Sequence, residues 1–486
     1  MSQLKKNMIY VLLQQFILIG LPFLTIPYIS RVLGPDGVGL YSYSFSIVTL
    51  LINIFLLGSN LYAVREIAKV KQDSSRLNRT FSDIFWIRLI LLAIASVLYG
   101  IACATIFEGS IVFYLQGLHL LGTLYDITWL YQGLEEFKKV VTRNISVKLL
   151  GFGSVFIFVK DSEDVWLYTF IMGISIVIGN VFLFYKLTNF VSFRFISGWS
   201  SFKKHLYHMF LLFIPSISAM IYSVMDKTLL GALSTVDEVG YYDQAYKIVY
   251  MITQLLYVTG IVMLPRTSSL IASNQIEKLH HVIRQGLTLN FMLVFPLAIG
   301  LITISEDFIR WFLGPGFERS IVIVMIMAPI IIFKSLGVIF GSWYLVPMEK
   351  NKEYTLPIVI GAIFSVVINV ALIPVLGAVG AAISAMVTEG VILLIQIWFL
   401  RKDFPFIEML KESVIKYLLM ALVMGGVIFA YDSVVHLSLF WSIFTKVMIG
   451  IVIYVVLLML IRDKQLLSIT NKLRKTKTVQ AKDTDE

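Results

Sequence analysis

The sequence predicts an all-α integral membrane protein with fourteen transmembrane helices, and three observations support this prediction. Of the 486 residues, 58% are hydrophobic and 14% are charged, and the mean hydropathy is +0.85. A soluble chain would carry about 25% charged residues. The apolar residues form runs of roughly 20 to 25, the length that a helix needs to cross the hydrocarbon core. Most lysine and arginine residues fall in the short segments between these runs.

The apolar runs give the positions of the predicted helices. The first run follows Lys5 and Lys6. It is too long for the core of a signal peptide, so we interpret it as a retained helix. Together the runs use almost the whole chain, which leaves no room for a sizeable soluble domain. The predicted helices are 8–33, 38–63, 81–106, 110–131, 145–160, 164–189, 206–231, 238–263, 285–305, 319–346, 354–374, 378–400, 414–432 and 437–461.

The distribution of basic residues predicts the orientation. With the N-terminus in the cytoplasm, the predicted cytoplasmic segments contain 31 Lys and Arg residues and the predicted external loops contain 4. Cytoplasmic loops of membrane proteins carry the excess of these residues. We therefore expect a multi-pass protein of the cell membrane with both termini in the cytoplasm. The net charge of +10 is spread over short loops, which favours anionic lipid headgroups over nucleic acid as its partner.

A repeated segment predicts two related halves. Residues 33–53 read LGPDGVGLYSYSFSIVTLLIN and residues 230–254 read LGALSTVDEVGYYDQAYKIVYMITQ, and Val38 of the first matches Val239 of the second, an offset of 201. Six helices precede the second copy, so both halves should have the same orientation in the membrane. The prediction is two pseudo-symmetric six-helix lobes, at 1–190 and 191–400. Helices 13 and 14 follow at 401–470, and a disordered cytoplasmic tail follows at 471–486.

Five basic residues lie in the interior of predicted helices, at least four residues from either end: Arg88, Lys227, Lys247, Lys334 and Lys446. A charge in the bilayer costs at least a few kcal/mol and usually faces a cavity or a partner. Lys334 lies more than two turns from either end of its helix, so we interpret it as a cavity residue. Lys446 falls outside the repeat and is interpreted as structural. Lys227 and Arg88 lie nearer to helix ends, where reaching towards water is an alternative.

Predicted helix 8 carries a polar and aromatic face. Its members recur at three- and four-residue spacing, which brings them to one side of a helix. The corresponding helix 2 carries a comparable polar stripe. Hydrogen bonds between helices would explain both stripes, and a hydrated cavity between the lobes is the alternative that the lysine favours. The helix 8 residues are Asp243, Tyr246, Lys247, Tyr250, Gln254 and Tyr257, and the helix 2 residues are Ser42, Ser46, Thr49, Asn53 and Asn60.

Two carboxylates within predicted helices, Asp226 and Glu389, are candidates for ion or proton coupling, with a buried hydrogen-bonded role as the alternative. Asp226 and Lys227 are adjacent, so on a helix they point about 100° apart and need not pair. The sequence has no phosphate-binding loop, H-E-x-x-H motif or C-x-x-C pair. We therefore expect no cofactor, no metal and no enzymatic activity.

The opening of the chain resembles that of Wzx-type flippases. These are the polysaccharide transporter branch of the multidrug/oligosaccharidyl-lipid/polysaccharide (MOP) superfamily, to which MATE transporters also belong. The resemblance lies in LPFLTIPYISRVLGPDGVGLYSYSFSIVTLL and the following REIAKVK, and the second half agrees through DKTLLGALSTVDEVGYYDQAYKI at 226–248. Length, helix number and two-lobed symmetry fit across nearly the whole chain. The specific residues are Pro27, Arg31, Leu33, Gly34, Gly37, Gly39, Tyr41 and the Arg65-Glu66 pair.

The resemblance implies a function. Such proteins move an undecaprenyl-pyrophosphate-linked oligosaccharide from the inner to the outer leaflet by alternating access, here for capsule or exopolysaccharide assembly. A cationic central cavity agrees with the basic residues found in the helices, because Lys and Arg would offset a pyrophosphate. The predicted ligands of the anionic headgroup are Arg31, Lys227, Lys247, Lys334 and Arg88. The predicted polar lining is Asn53, Asn60, Asp243, Tyr246, Tyr250 and Gln254.

Two other functions remain open at this point. A MATE-like multidrug or cation antiporter would favour an acidic cavity, whereas the candidates here are basic. A membrane polysaccharide polymerase would commonly carry a large external loop, and every predicted external loop is short. The expected partners of a flippase are the lipid-linked oligosaccharide and membrane lipids. A polymerase and other glycan-assembly proteins are further candidate partners.

Overall fold

The structure is a computed structural model that describes residues 3–192, 198–401, 406–435, 437–463 and 465–467. The predicted tail at 471–486 lies outside the described residues. The described residues form sixteen α-helices, many of them apolar along most of their length. In chain order they are α1 (Gln3–Leu56), α2 (Ser59–Val70), α3 (Ser74–Thr105), α4 (Ile111–Leu124), α5 (Thr128–Gly133), α6 (Phe137–Phe158), α7 (Val165–Tyr185), α8 (Trp199–Leu233), α9 (Val236–Ala272), α10 (Ile276–Phe312), α11 (Arg319–Met327), α12 (Ile330–Val338), α13 (Asn351–Leu376), α14 (Ala378–Leu400), α15 (Phe406–Asp432) and α16 (Leu439–Leu460).

Predicted helices 1 and 2 both lie in α1, with their junction at Gly34. Gly34 has φ 66° and ψ −178°, a backbone conformation outside the helical region that glycine adopts without a Cβ clash. The prediction that helix 2 continues to residue 63 is wrong. Leu57 and Gly58 both have positive φ, 48° and 68°, and they end α1 at Leu56. Asn60 therefore lies in α2 and not on the polar stripe of α1.

Two other predicted helices are interrupted. The run at 110–131 divides into α4 and α5 around Asp126, whose Oδ1 accepts hydrogen bonds from the Thr128 N–H at 2.9 Å and hydroxyl at 2.7 Å. This arrangement favours a new helix start, because a carboxylate there satisfies a free N–H. The run at 319–346 divides into α11, α12 and a π-helical segment, Ile339–Leu345, and Pro329 precedes α12.

Eleven helical segments of the described chain are long and apolar enough to cross a membrane, with α1 counted once from Gly20 to Leu56. Several helices exceed their predicted bounds. For example, α10 begins at Ile276 instead of 285, because its first turns contain charged residues that an apolar criterion leaves out. The exact number of membrane spans stays a prediction.

Contacts divide the chain into two units. The first comprises Met1–Gln244, Leu313–Phe317 and Ile358–Ser384. Its main apolar core surrounds Phe81, Trp129 and Tyr131, which are all at most 1% exposed. A second cluster surrounds Val48 and Leu120, from α1 and α4. These cores hold the first part of the chain together through side-chain burial.

The second unit comprises Ala245–Phe312, Glu318–Pro357 and Ala385–Glu486. Its core contains Phe291 of α10, Phe340 of the π-helical segment and Tyr417 of α15, each about 1% exposed. Trp343 packs against Gly286 of α10, where a Cβ would lie 2.2 Å from its ring. The missing side chain of Gly286 thus permits the close approach of these helices.

The two copies of the repeated segment contact each other inside the first unit. A Cβ on Gly39 would lie 1.9 Å from the carbonyl oxygen of Val236, and one on Gly240 would lie 2.1 Å from that of Pro35. The offset of 201 converts the first contact into the second, since it relates position 35 to 236 and position 39 to 240. A reciprocal contact of this kind is what a two-fold relation between two copies produces. Only glycine at 39 and 240 permits the backbones to approach so closely.

Candidate functional site

Asp226 of α8 lies in a buried polar cluster of the first unit. Its side chain accepts hydrogen bonds from the Tyr242 hydroxyl at 2.7 Å, the Asn369 Nδ2 at 2.6 Å and the Ser365 hydroxyl at 3.3 Å. Tyr242 belongs to α9, and Ser365 and Asn369 belong to α13. Asp226 is 2% exposed and Asn369 is fully buried. Three helices therefore meet at one carboxylate whose three hydrogen-bond donors are neutral.

Asn369 adds a second feature to the Asp226 cluster. Its Oδ1 is buried and has no hydrogen-bond partner among the described residues, although its Nδ2 donates to Asp226 and, at 3.2 Å, to Ser365. A buried acceptor without a partner carries a desolvation cost of about 1–3 kcal/mol. A proton or a cation at this cluster would have an uncompensated oxygen beside a carboxylate to bind to.

Lys227, the next residue along α8, takes a different partner. Its ammonium pairs with Oδ1 of Asp243, and the Ser42 hydroxyl donates to Oδ2 of the same carboxylate at 2.8 Å. Asp243 is 1% exposed and the Lys227 side chain is 18% exposed. Ser42 and Asp243 are equivalent positions of the repeat, separated by 201 residues. The expected divergence of Asp226 and Lys227 around the helix agrees with their separate partners.

Lys334 of α12 and Glu389 of α14 form an ion pair in the second unit. Their charged atoms are 2.6 Å apart, and the side chains are 7% and 9% exposed. Next to Lys334, the Ser335 hydroxyl donates to Oδ1 of Asn290 at 3.0 Å. Two residues that the sequence suggested for different roles, anion binding and ion coupling, are thus partners of each other. Their opposite charges compensate within the protein.

Arg88 and Asn60 are also brought together, where the start of α2 packs against the middle of α3. The Arg88 guanidinium donates to the Asn60 Oδ1 at 2.6 Å and to the Ser59 hydroxyl at 2.8 Å, and Arg88 is 3% exposed. The guanidinium carbon of Arg88 lies over the ring of Trp129, 5.7 Å from its centroid. These contacts fix Arg88 in a neutral polar and aromatic setting inside the first unit.

The other predicted site residues are less deeply buried. Arg31 is exposed, and its side chain lies beside Gly314, 2.8 Å from where a Cβ would be. Asn53 is exposed and donates to the Thr49 carbonyl at 2.8 Å. On α9, Tyr246 and Tyr250 stack with ring centroids 5.6 Å apart, and Lys247 and Gln254 are half-buried. The role of these residues in binding stays a prediction.

Sequence reasoning missed Tyr242, Ser365 and Asn369, which surround Asp226. Ser365 and Asn369 lie four residues apart in an otherwise apolar run, so they share one face of α13. That spacing was a signal for a polar helix contact. Nothing in the sequence assigned this contact to Asp226, which lies 143 residues from Asn369.

Comparison with known proteins gives two family matches. The model of the family described as polysaccharide biosynthesis protein matches residues 4–271, and the model described as lipid II flippase MurJ matches residues 149–451. Each match covers more than half of the 486 residues. The first match includes Asp226 and the paired glycines, and the second includes Lys334 and Glu389.

Similar proteins and structures agree with these matches. A protein of Escherichia coli K12 named as an O-antigen transporter is 23% identical over 411 residues, which cover 82% of this chain and 97% of that protein. A protein of the same name from Shigella dysenteriae is 26% identical over 401 residues, 80% and 98% of the two chains. A structure of lipid II flippase MurJ in an inward closed conformation has a TM-score of 0.75 at 16% identity, covering 94% of this chain and 99% of that one.

These matches, together with the many apolar helices, identify a multi-pass membrane protein of the MurJ and MATE fold type. The chain belongs to the polysaccharide biosynthesis protein family and is a Wzx-type flippase of the MOP superfamily.

Proposed function

We propose that the chain moves an undecaprenyl-pyrophosphate-linked oligosaccharide repeat unit from the inner to the outer leaflet, for capsule or exopolysaccharide assembly. The observation that carries this proposal is the match of two families of glycan and lipid-linked precursor proteins, each over more than half of the chain. A transporter of this cargo must pass a large anionic headgroup through the bilayer. Charged and polar residues buried in apolar helices are the feature that such passage requires.

We also propose the arrangement for this transport. Fourteen spans form two six-helix lobes followed by two further helices, with both termini in the cytoplasm. The lobes alternate in exposing a central site to either side of the membrane. The excess of basic residues in the predicted cytoplasmic segments supports the orientation. The reciprocal contact of Gly39 and Gly240 supports two related halves. A polymerase and other glycan-assembly proteins would act on the product at the outer surface.

The direct test is the location of the precursor in cells. A strain that lacks the chain should accumulate lipid-linked repeat units in the inner leaflet and lose surface glycan. Expression of the wild-type chain should restore both. A reagent that labels the glycan from outside is applied to intact cells and to lysed cells. Glycan that is labelled only after lysis lies in the inner leaflet. Normal export in the deletion strain, with no second flippase gene expressed, would contradict the proposal.

Basic residues would bind the pyrophosphate in this mechanism. We propose Arg31, Lys247, Lys227, Lys334 and Arg88 as ligands, of which Lys227 and Lys334 have carboxylate partners in this structure. A phosphate oxygen of the cargo would replace the carboxylate of Asp243 or Glu389 as the partner of the lysine ammonium. Lys247→Ala and Lys334→Ala should reduce export without preventing membrane insertion. Lys203→Ala, at an exposed position of α8, is the matched control. Full export by both site variants would reject the ligand assignment.

The polar residues of α1, α2 and α9 would contact the glycan. We propose Asn53, Asn60, Tyr246, Tyr250 and Gln254 for this role, with Asp243 held by Lys227. Stacked tyrosines such as Tyr246 and Tyr250 offer flat apolar faces next to hydroxyl groups. A variant at one of these positions that loses transport of its repeat unit but still transports a different one would indicate a glycan contact. Loss of transport for every repeat unit would indicate a structural role.

We further propose that a cation or a proton drives the cycle by binding at Asp226. Its three hydrogen-bond donors are neutral, and the buried Oδ1 of Asn369 has no partner in the described chain. Among the described residues there is no group of three or more His, Cys, Asp or Glu that could hold a metal ion. One carboxylate with neutral oxygens suits a monovalent cation or a proton better than a multivalent metal. Glu389 is the alternative coupling residue, with its charge already offset by Lys334.

A further inference from the structure

A cavity of about 470 Å³ lies among α4, α5, α6 and α7 of the first unit, and none of the predicted cargo-binding residues lines it. Its volume is within the range of roughly 300–1,000 Å³ that small-molecule sites occupy. The sequence placed Arg143 just before a predicted helix that begins at residue 145. The structure places it inside α6, which begins at Phe137.

The cavity is polar at one end and apolar at the other. Arg143 and Asn144 of α6 and Asn180 of α7 line the polar end. Gly151 and Phe152 of α6 and Met172 of α7 line the apolar end. The helices α6 and α7 pack directly against each other, so the two ends follow the direction of the helices. This division matches an amphiphile with a polar headgroup and an apolar tail.

Lys148 lines this cavity and is half-buried. Within the residues that the structure describes, its ammonium has neither a hydrogen bond nor an ion pair. A lysine inside an apolar helical protein normally has a carboxylate or water to compensate its charge. The position next to a cavity of this size makes an anionic ligand the natural compensation.

Arg143 adds a second cation to the same wall. Its guanidinium donates to Asn180 Oδ1 at 2.6 Å, Asn144 Oδ1 at 2.7 Å and the Ile176 carbonyl at 3.3 Å. All three acceptors are neutral, and Nε of Arg143 is buried without a partner in the described chain. Asp126 is the one carboxylate in the lining, against the two cations Arg143 and Lys148. The lining thus has a net positive charge with unused donors.

We propose that this cavity binds the phosphate headgroup of an anionic phospholipid from the surrounding membrane. The phosphate would accept a hydrogen bond from Lys148, which is charge-assisted and therefore strong, and the positive charge of Arg143 on the same wall would add to the attraction. The acyl chains would leave along the apolar surface of α6, where Leu149 and Leu150 are 52% and 70% exposed. The lining of this site contains none of the residues assigned to the transported cargo.

Native mass spectrometry of the purified full-length chain tests the proposal. The protein is stripped of lipid and titrated with phosphatidylglycerol or with phosphatidylcholine, which carries no net charge. We expect a saturable adduct with phosphatidylglycerol, and binding about fivefold weaker for Lys148→Gln, since one basic residue contributes about 1 kcal/mol to anionic lipid binding. Phosphatidylcholine binding should be equal in both proteins. Lys138→Gln is the matched control, because Lys138 is exposed on the same helix and does not line the cavity.

A second variant and two further ligands complete the test. Ser175→Phe, which puts bulk into the cavity from α7, should weaken the same adduct while Lys148 is retained. Polyprenyl phosphate and inorganic phosphate are titrated in parallel. A Lys148-dependent adduct with polyprenyl phosphate and none with phosphatidylglycerol would show that the ligand is a carrier lipid and not a phospholipid. That result would overturn the proposal. Phosphatidylglycerol binding that neither Lys148→Gln nor Ser175→Phe changes would overturn it as well.

Discussion

Asp226 in the first unit and Glu389 in the second are both carboxylates buried in apolar helices, but their surroundings differ. Asp226 is held by a tyrosine hydroxyl, a serine hydroxyl and an asparagine amide. Glu389 has an ammonium group, that of Lys334, at 2.6 Å. One carboxylate is therefore solvated by neutral dipoles, and the other is compensated by a full opposite charge.

The difference lies in how each carboxylate is compensated in this structure. A buried ion pair compensates itself, so removal of one partner is costly, whereas replacement of both is often neutral. A carboxylate with neutral donors keeps its charge available to a mobile cation or proton. We therefore expect changes at Glu389 to act mainly on stability, and changes at Asp226 to act mainly on the response to cations.

The largest expected effect comes from Glu389→Gln. This change takes away the carboxylate at 2.6 Å from the Lys334 ammonium, and breaking a buried pair costs about 3–5 kcal/mol. Thermal unfolding in detergent should show a strongly lowered midpoint. The double variant Lys334→Met, Glu389→Gln should recover most of the loss. Glu306→Gln is the control, because the Glu306 side chain is 63% exposed and pairs with Arg310 at the surface. This change should alter the unfolding midpoint little. A normal midpoint for Glu389→Gln would show that the ion pair does not stabilise the fold.

Asp226→Asn should abolish stabilisation by the coupling ion. Wild-type protein should unfold at a higher temperature in sodium or lithium chloride than in choline chloride, or should show a corresponding pH response if the ion is a proton. The gain is about 2.7 kcal/mol at a ligand concentration of one hundred times Kd. Asparagine preserves the shape of the side chain but removes its charge, so the variant should show no gain.

The matched control for Asp226→Asn is Glu389→Gln itself. That variant should be less stable in every salt and yet retain the cation response, because Asp226 and Asn369 are unchanged. An equal cation response in wild type and Asp226→Asn would refute coupling at Asp226. Loss of the response in Glu389→Gln alone would move the assignment to Glu389.

Lys446 provides an intermediate case. Its ammonium lies 2.5 Å from carboxylate oxygens of both Asp307 and Asp432, and the side chain is 2% exposed. Lys446→Met should destabilise the protein by about 2 kcal/mol, less than Glu389→Gln, because water reaches the 47% exposed Asp432. Lys69→Met, at a 55% exposed pair with Glu66, is the control for loss of a surface lysine. Equilibrium unfolding measures both, and equal effects would remove the distinction between buried and surface pairs.

The sequence predicted the helices well because apolar length is a local property. Each predicted apolar run coincides with helical residues, and the end of α1 at Leu56 was missed because its cause is a left-handed backbone at Leu57, a residue type that rarely adopts it. The repeat predicted that Ser42 and Asp243 are equivalent, and the two are hydrogen-bonded. The family was predicted from motifs around Arg31 and Gly39, and the family matches over residues 4–271 and 149–451 confirm it.

The partners within the site could not be predicted in the same way. Lys334 and Asp226 were selected because a charge in an apolar run is visible in the sequence. The structure buries both, and their roles in binding and coupling stay predictions. Their partners Glu389 and Asn369 come from helices far along the chain, and helix neighbours are a tertiary property that a single sequence does not contain. The cavity at Lys148 was missed because its lining comes from four helices, and the packing of those helices is again a tertiary property.

The smallest expected effect concerns Asp463, beyond the end of α16, where a buried carboxylate combines both kinds of partner. Burial alone would raise the pKa of Asp463. Hydrogen bonds from Lys416, the Leu466 N–H and Tyr417 lower it by a larger amount, so the pKa lies below its ordinary value. Such a group stabilises the folded state fully above the unfolded pKa of about 3.9, and this contribution is lost as pH falls through the folded pKa. Asp463→Asn should therefore be less stable than wild type at pH 7, and the difference should shrink at acid pH. Glu306→Gln should show no such convergence in the same pH series, and a constant difference for Asp463→Asn would show that packing, and not its charge, matters at this position.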